Sequence, residues 1–191
     1  MRKNLFATLS LWILLLLTGC NKDMLYLKEH YDIRACQDEL AVGRHMRIEK
    51  TIDKIYVNKK KRIMYLYSEG KVVDKVPVSL GQNPVGHKQQ QGDLRTPEGK
   101  YYIRNKICSS KYFRSLAISY PNPADIERAK KRGVDPGGDI MIHAQPKWNA
   151  DGRGDAYALT KNWTEGCIAV TNKVMQDIWY RVPIGVPVII E

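Results

Sequence analysis

A mainly β single domain with peripheral helices is the fold class this sequence predicts, and three observations carry that expectation. Between Ile52 and Leu80, β-branched and tyrosine-rich runs follow one another across short turns. Further strand-like apolar runs stand at Asp139–His143, Ile168–Val170 and Pro187–Ile190. Helical patterning with start and stop signals is confined to two peripheral stretches, near 123–133 and 173–182. No internal repeat is visible.

Taken in order, residues 21–50 are polar and mixed, with Tyr26, Leu27, Tyr31 and Ile33 too sparse for a firm element. They read as a tether with one short helix. From Ile52 the texture changes. Ile55–Val57 and Arg62–Tyr67 read as strands joined by the turn Asn58–Lys61, and Glu69-Gly70 turns the chain again into Val72–Leu80. Three strands so closely spaced predict an antiparallel meander. Pro77 has no N–H to donate, so the third strand belongs at an edge or a bulge.

Residues 81–98 form a long loop rich in Gly, Gln and charge, and a loop of that length in a compact domain is usually functional or disordered. Gly99–Arg104 resumes a strand. Pro123–Gly133 predicts a surface helix, with Pro and acids early, bases late and Gly past the end. Asp139–His143 is a strand behind Pro136-Gly137-Gly138, and 144–162 is another polar loop. Thr171 or Asn172 caps a helix over Lys173–Val182, with Val174, Ile178 and Val182 on one face.

Cys167 follows Gly166 and opens the apolar run Ile168–Val170, while His143 closes its own strand-like run. A cysteine at a turn-to-strand junction is presented by backbone, and a histidine at a second strand end supplies a base, so the two form a candidate nucleophile and base. The N–H groups of Gly166 and Cys167 would lie beside the sulfur, where an oxyanion could be held. On residue types alone, a lone Cys is more often a small buried hydrophobe than a nucleophile. A zinc site is disfavoured, because no C-x-x-C or H-x-x-x-H pair completes a four-ligand shell. No metal or organic cofactor is implied.

The chain has 191 residues, 43% of them hydrophobic, which suits one domain with a core plus a tail. Its formal charge of +11 suits polyanionic surroundings: nucleic acid, anionic lipid or an acidic cell-wall polymer. No Arg/Gly-rich or aromatic-interleaved signature points to nucleic acid, so that partner is not expected and the charge reads as a solvated surface. At the N-terminus, Arg2 and Lys3 precede the apolar run Leu5–Leu17, short for a spanning helix and signal-peptide-like. An uncleaved membrane anchor is the alternative. Leu17-Thr18-Gly19-Cys20 resembles the lipobox of bacterial lipoproteins. That resemblance implies a signal peptide over 1–19 and lipidation at Cys20, which leaves 20–50 as the lipidated N-terminus and tether and 51–191 as the folded domain. Asn21 after the cysteine implies the outer membrane, with the domain on the periplasmic side. Cys36 and Cys108 remain, either bridged in a compartment that permits disulfides or as two free thiols.

Leu80-Gly81, Arg95-Thr96-Pro97-Glu98-Gly99-Lys100-Tyr101, Ile142-His143 and Gly166-Cys167-Ile168 with Asn172 together resemble the YkuD-type L,D-transpeptidase catalytic domain. The resemblance runs from about Ile52 to Glu191 and implies that family's β-sandwich or barrel. Order supports it: His precedes Cys, whereas papain-like and NlpC-type wall hydrolases place Cys first. There are departures. The family's Ser-His before Gly-Cys is Thr164-Glu165 here, and its Arg two residues after the cysteine is Ala169. Arg95 or Lys88 could take over a substrate carboxylate. Asn83–Lys88, Trp163–Val170 and the long His–Cys spacing resemble the YafK subgroup, which includes an enzyme that releases the major outer-membrane lipoprotein from peptidoglycan.

The resemblance implies acyl transfer on peptidoglycan stem peptides at the L-centre of meso-diaminopimelate. Cys167 would attack as a thiolate paired with His143, and Thr164 or a backbone carbonyl would fix the imidazole tautomer. Thr164, Glu165, Arg95, His87 and Asn172 are expected to bind substrate or support the site. His87 sits in the loop that would cover the cleft; His30 and His45 in the tether carry no signal. Whether water or an amine accepts the acyl group stays open, as does a wall-attached lipoprotein as partner. A non-catalytic peptidoglycan-binding lipoprotein with a vestigial Cys–His pair is the rival reading.

Overall fold

The computed structural model describes residues 33–42, 50–108, 111–149 and 152–191. The expected signal peptide, Cys20, His30 and His45 lie outside the described residues. Among the described residues, eight strands form one curled sheet in the order β3-β2-β1-β8-β4-β5-β6-β7. β1 (Lys54–Asn58), β2 (Ile63–Ser68) and β3 (Lys71–Pro77) make the expected antiparallel meander. Pro77 ends an edge strand, where its missing N–H costs nothing. β8 (Pro187–Ile190) lies parallel to β1 and antiparallel to the first half of β4 (Gly99–Cys108).

The second half of β4 pairs with β5 (Arg114–Ile118) across a register shift between Ile103 and Asn105. That irregularity bends the strand, so one β4 serves both ends of the sheet. β6 (Met141–His143) continues antiparallel to β5, and β7 (Ile168–Ala169) lies parallel to β6. The curl then comes round on itself. Ser79, two residues past β3, exchanges backbone bonds with Ala169 of β7, at 2.9 and 2.8 Å.

Burial alternates along β1 and β2, with Ile55, Val57, Met64 and Leu66 inward. β5 is buried on both faces because a helix covers its outer side. Such a strand shows no period-2 pattern, which is why the sequence does not announce it.

Helix α1 (Ile33–Val42) falls in the expected tether, yet Cys36 is buried and bridged to Cys108 at the end of β4. The alternative left open by the cysteine count is thereby resolved as a disulfide, and this part of the tether is stapled to the sheet. Helix α2 (Pro123–Lys131) begins with a capping box between Asn122 and Asp125. A short helix α3 (Asp155–Ala158) breaks the 144–162 loop. Helix α4 (Asn172–Arg181) is N-capped by Thr171, whose Oγ1 accepts the Val174 N–H at 3.2 Å. It buries Met175, Ile178 and Trp179, and the expected Val174–Ile178–Val182 stripe faces the core beside them, Ile178 and Val182 fully buried and Val174 packed partly buried against it. The indole of Trp179 is too large to leave in water.

Lys59, read from sequence as part of a solvated turn, is 5% exposed. Its ammonium donates to Gly86 O, Thr96 O and Glu98 Oε1 at 2.6, 2.8 and 2.9 Å. Three acceptors make that buried charge tolerable. They also tie the C-terminal end of the 81–98 loop to its first half at Gly86.

Candidate active site

The turn Trp163–Cys167 is built around Thr164. Its N–H donates to Leu80 O at 3.1 Å, and its carbonyl accepts from Gln82 N–H at 3.0 Å. Its Oγ1 donates to Cys167 O at 2.7 Å and accepts the Gly166 N–H at 3.2 Å. The loop before β4 and the turn before β7 therefore hold each other. Gly166 sits at φ +137°, and a Cβ there would lie 2.7 Å from Arg95 O. Glycine is the residue that fits.

The sheet brings Cys167 and His143 to one face. Ile142 is level with Ile168 and His143 with Ala169 in the parallel β6–β7 pair. Continuing the register one residue puts Cys167 level with Met141, two residues along from His143 and on its side. With strands about 4.8 Å apart and about 3.3 Å of rise per residue, the two Cα positions lie roughly 8 Å apart. Their side chains converge in a cleft of about 890 Å³, whose lining also includes Tyr112, Trp163, Asp139 and the loop residues Gln82 and Lys88.

His143 is 1% exposed. Tyr112 stacks on its ring at 4.0 Å between centroids, and Trp163 meets it edge-on at 5.7 Å. Nδ1 lies 2.7 Å from Ala144 O. A carbonyl can only accept, so Nδ1 carries the proton and Nε2 is left as the base. Burial, reinforced by the nearby Lys111 charge, pulls the imidazole down to about 4. The Cys167 thiol is pushed up from its ordinary value, first by burial and then by Asp139 and Glu165; the Met141 N–H acts the other way. Its Sγ lies 3.5 Å from Asp139 O, which accepts from the thiol. Both shifts favour a neutral thiol beside a neutral imidazole. Both directions run against the thiolate–imidazolium pair expected from sequence.

The other expected site residues divide. Thr164 and Glu165 line the cleft. Asn172 lies behind it, its Oδ1 accepting the Gln145 N–H at 3.0 Å just beyond β6. Arg95 points a guanidinium nitrogen toward Gly86, and its carbonyl packs on Gly166. His87 is tied beneath the loop, with Nδ1 accepting the Glu98 N–H at 3.0 Å and Nε2 3.1 Å from Asp125 Oδ1. Neither Arg95 nor His87 is among the cleft-lining residues. Lys88 is, but it is 4% exposed and bound to Asp93 Oδ1 at 2.8 Å and Gln90 O at 3.1 Å. Ala169, at the departed family-Arg position, is fully buried against Ser79.

Sequence reasoning gave no role to Tyr112, Lys111, Met141 or Trp163. The first two lie in an unpatterned connection. Trp163 adjoins the Cys turn, which was its one available signal. Among the described residues, no group of three His, Cys, Asp or Glu side chains gathers that could hold a metal ion.

Residues 52–190 match the L,D-transpeptidase catalytic domain family, YkuD. The chain belongs to this family. It is similar to YafK of Escherichia coli (strain K12), which bears an L,D-transpeptidase name only provisionally, at 28% identity over 131 residues, 65% of this chain and 45% of that one. The matched stretch thus spans less than half of that relative. Among solved structures, it resembles the helical cell shape determining protein Pgp2 of Campylobacter jejuni at 26% identity and a TM-score of 0.54, covering 88% of this chain and 55% of that chain. Bdellovibrio bacteriovorus Bd1075 shares the fold at 23% identity and a TM-score of 0.52, covering 75% of this chain and 49% of that one.

Proposed function

We propose that this protein is a cysteine-dependent enzyme of peptidoglycan, cutting or transferring stem peptides at the L-centre of meso-diaminopimelate through an acyl-enzyme on Cys167. The observation that carries this reading is the convergence of Cys167 and His143 on one face of the β6–β7 pair, in a cleft of a chain belonging to the L,D-transpeptidase family. His143 Nε2 takes the thiol proton as Sγ forms its bond to the scissile carbonyl carbon. The same proton then goes to the departing amine as the C–N bond breaks. A neutral resting pair makes proton removal concurrent with attack.

An oxyanion would meet the N–H of Cys167 and that of Met141, which already acts on the sulfur. The Gly166 N–H is occupied by Thr164 Oγ1, so Gly166 contributes the turn. Hydrolysis is the favoured outcome, by resemblance to the YafK subgroup; water then releases the acyl group, and a wall-attached lipoprotein is a candidate leaving group. Lipidation at Cys20 would hold the domain at the periplasmic face of the outer membrane.

The test incubates the full chain with sacculi carrying covalently attached lipoprotein, beside a Cys167→Ala control, and reads muropeptides by mass spectrometry. Loss of the lipoprotein remnant or of a terminal residue from diaminopimelate marks a hydrolase. New 3–3 dimers mark a transpeptidase. No Cys167-dependent change, with fold verified, would sink the catalytic reading in favour of a binding module.

A further inference from the structure

The positive charge expected to lie on a solvated surface gathers on one face of the sheet. Burial alternates along β1, β2 and β4, where Ile55, Val57, Met64, Leu66, Tyr101 and Ile103 point into the core. Their neighbours therefore point out. The registers set these outward residues in rows. Lys75, Tyr65, Tyr56, Ile189 and Lys100 stand level across β3-β2-β1-β8-β4, a row about 19 Å long at about 4.8 Å per strand. Beside it run Tyr67, Lys54, Pro187 and Tyr102. Among the described residues, helices pack mainly on β5 and at the disulfide end of β4, away from these rows.

The charge on these strands is one-sided. They carry Lys54, Lys71, Lys75, Lys100, Arg104 and Lys106 against a single acid, Asp74. That acid lies level with buried Leu66 and pairs with Arg181 at 2.9 Å. Lys54, Lys75 and Lys100 make no ion pair among the described residues. Lys54 instead lies 3.8 Å over the Tyr67 ring. The tyrosines are open as well: Tyr102 is 53% exposed, and Tyr56 and Tyr65 meet at 5.6 Å between centroids. The Tyr56 hydroxyl donates to Glu191 Oε1 at 2.5 Å, which steadies that ring and engages the acid that follows β8.

We propose that the outer face of β3-β2-β1-β8-β4 binds an acidic glycan chain, with sugar rings on the tyrosines and carboxylates on Lys75, Lys54 and Lys100. Cations without a counter-charge attract an anion. Tyrosine rings offer apolar faces to sugar C–H groups and hydroxyls to sugar oxygens, with little side-chain freedom to lose. A row this long suits an extended polymer. A bilayer is flat, whereas a twisted sheet meets a plane along only part of the row. None of these residues lines the cleft, so the face would hold a glycan while the cleft works on its peptides. The choice of glycan over other polyanions rests on the peptidoglycan reading above.

The test measures calorimetric binding of the full-length Cys167→Ala protein to peptide-free glycan strands, soluble chains of N-acetylglucosamine and N-acetylmuramic acid with free lactyl carboxylates. Without a stem peptide, the probe gives the cleft no amide to hold. Binding is expected at low salt and should fade as salt rises. Lys54→Gln, Lys75→Gln and Lys100→Gln together should weaken it at least about tenfold, and arginine at the same three positions should keep it within about threefold. Removing three exposed lysines elsewhere, by Lys130→Gln, Lys131→Gln and Lys173→Gln, should change it less than about threefold. Equal losses from the two glutamine triples would reduce the face to general charge and overturn the proposal. So would no binding by Cys167→Ala, which leaves the acyl-transfer reading standing on its muropeptide readout. Phosphatidylglycerol vesicles or single-stranded DNA binding through these lysines, while the glycan does not, would assign the face to another polyanion and overturn it too. Glycan binding through this face without any Cys167-dependent muropeptide change would sink the acyl-transfer reading and support this one.

Discussion

The carbonyl oxygen of Ala144 lies 2.7 Å from Nδ1 of the preceding His143, so the residue next to the imidazole fixes its tautomer. That bond orients a ring that burial holds neutral down to about pH 4. The unfolded chain binds a proton on this histidine near 6.5, before the folded chain does. Stability from this group is therefore complete above that value and falls as pH drops toward about 4, by about 3 kcal/mol at most. Denaturant midpoints for wild type and His143→Gln at pH 7 and pH 4.5 check this. The wild type should lose more stability between the two pH values than the variant, and parallel losses would contradict it.

Cys167 follows the same logic with the opposite sign. A thiol pushed up by burial, Asp139 and Glu165 exposes little thiolate at neutral pH. Alkylation by iodoacetamide should be slow at pH 7 and rise through a midpoint above the ordinary free-thiol value of about 8.5. Glu165→Gln should move that midpoint down. A midpoint below 7 would mean that a thiolate–imidazolium pair exists at rest after all.

The legibility of this chain follows from which features are local. The meander, the Pro77 edge and the cap on α4 are written in short patterns, and the structure contains those elements; the order of motifs put Cys167 and His143 in one candidate site, and both line the cleft. β5 was invisible because both its faces are buried, which erases alternation. The placement of β8 between β1 and β4 is a non-local pairing that no short window encodes. Lys59 read as solvent-facing because a buried ammonium depends on acceptors 27 to 39 residues away. Within the cleft, Cys167, His143, Thr164 and Glu165 came from the motif, whereas Lys111 and Tyr112 enter through the curl of the sheet. The same curl leaves Arg95 and His87 outside the cleft lining.

The Cys36–Cys108 bridge closes 72 residues of sequence, and chain-entropy arguments give such a loop about 4 kcal/mol, with measured bridges mostly at about 2–4 kcal/mol. Cys36→Ser or Cys108→Ser should lower Tm by roughly 5–15 °C. Reductant should do the same to wild type and nothing more to either variant. A wild-type Tm indifferent to reductant would exclude a stabilising bridge. Because Cys108 stands four residues before Tyr112, loss of the bridge should also slow turnover by loosening the ring stacked on His143.

Two glycines with positive φ separate strain from crowding at the catalytic turn. Gly70 lies at φ +74° in the β2–β3 turn, and an added Cβ meets nothing within 4 Å. Gly70→Ala should cost about 1 kcal/mol from the left-handed backbone alone and leave turnover unchanged. Gly166 lies at φ +137°, and its added Cβ would press 2.7 Å from Arg95 O and 3.1 Å from Ile140 Cδ1. The first neighbour is backbone and the second a buried side chain, so the turn must move instead. Gly166→Ala should cost about 2 kcal/mol or more and, by displacing the adjacent sulfur on the order of 1 Å, lower kcat roughly a hundredfold. Chemical denaturation and steady-state kinetics on the two variants side by side decide it. If both lose activity alike, the turn is not the element that aims the thiol.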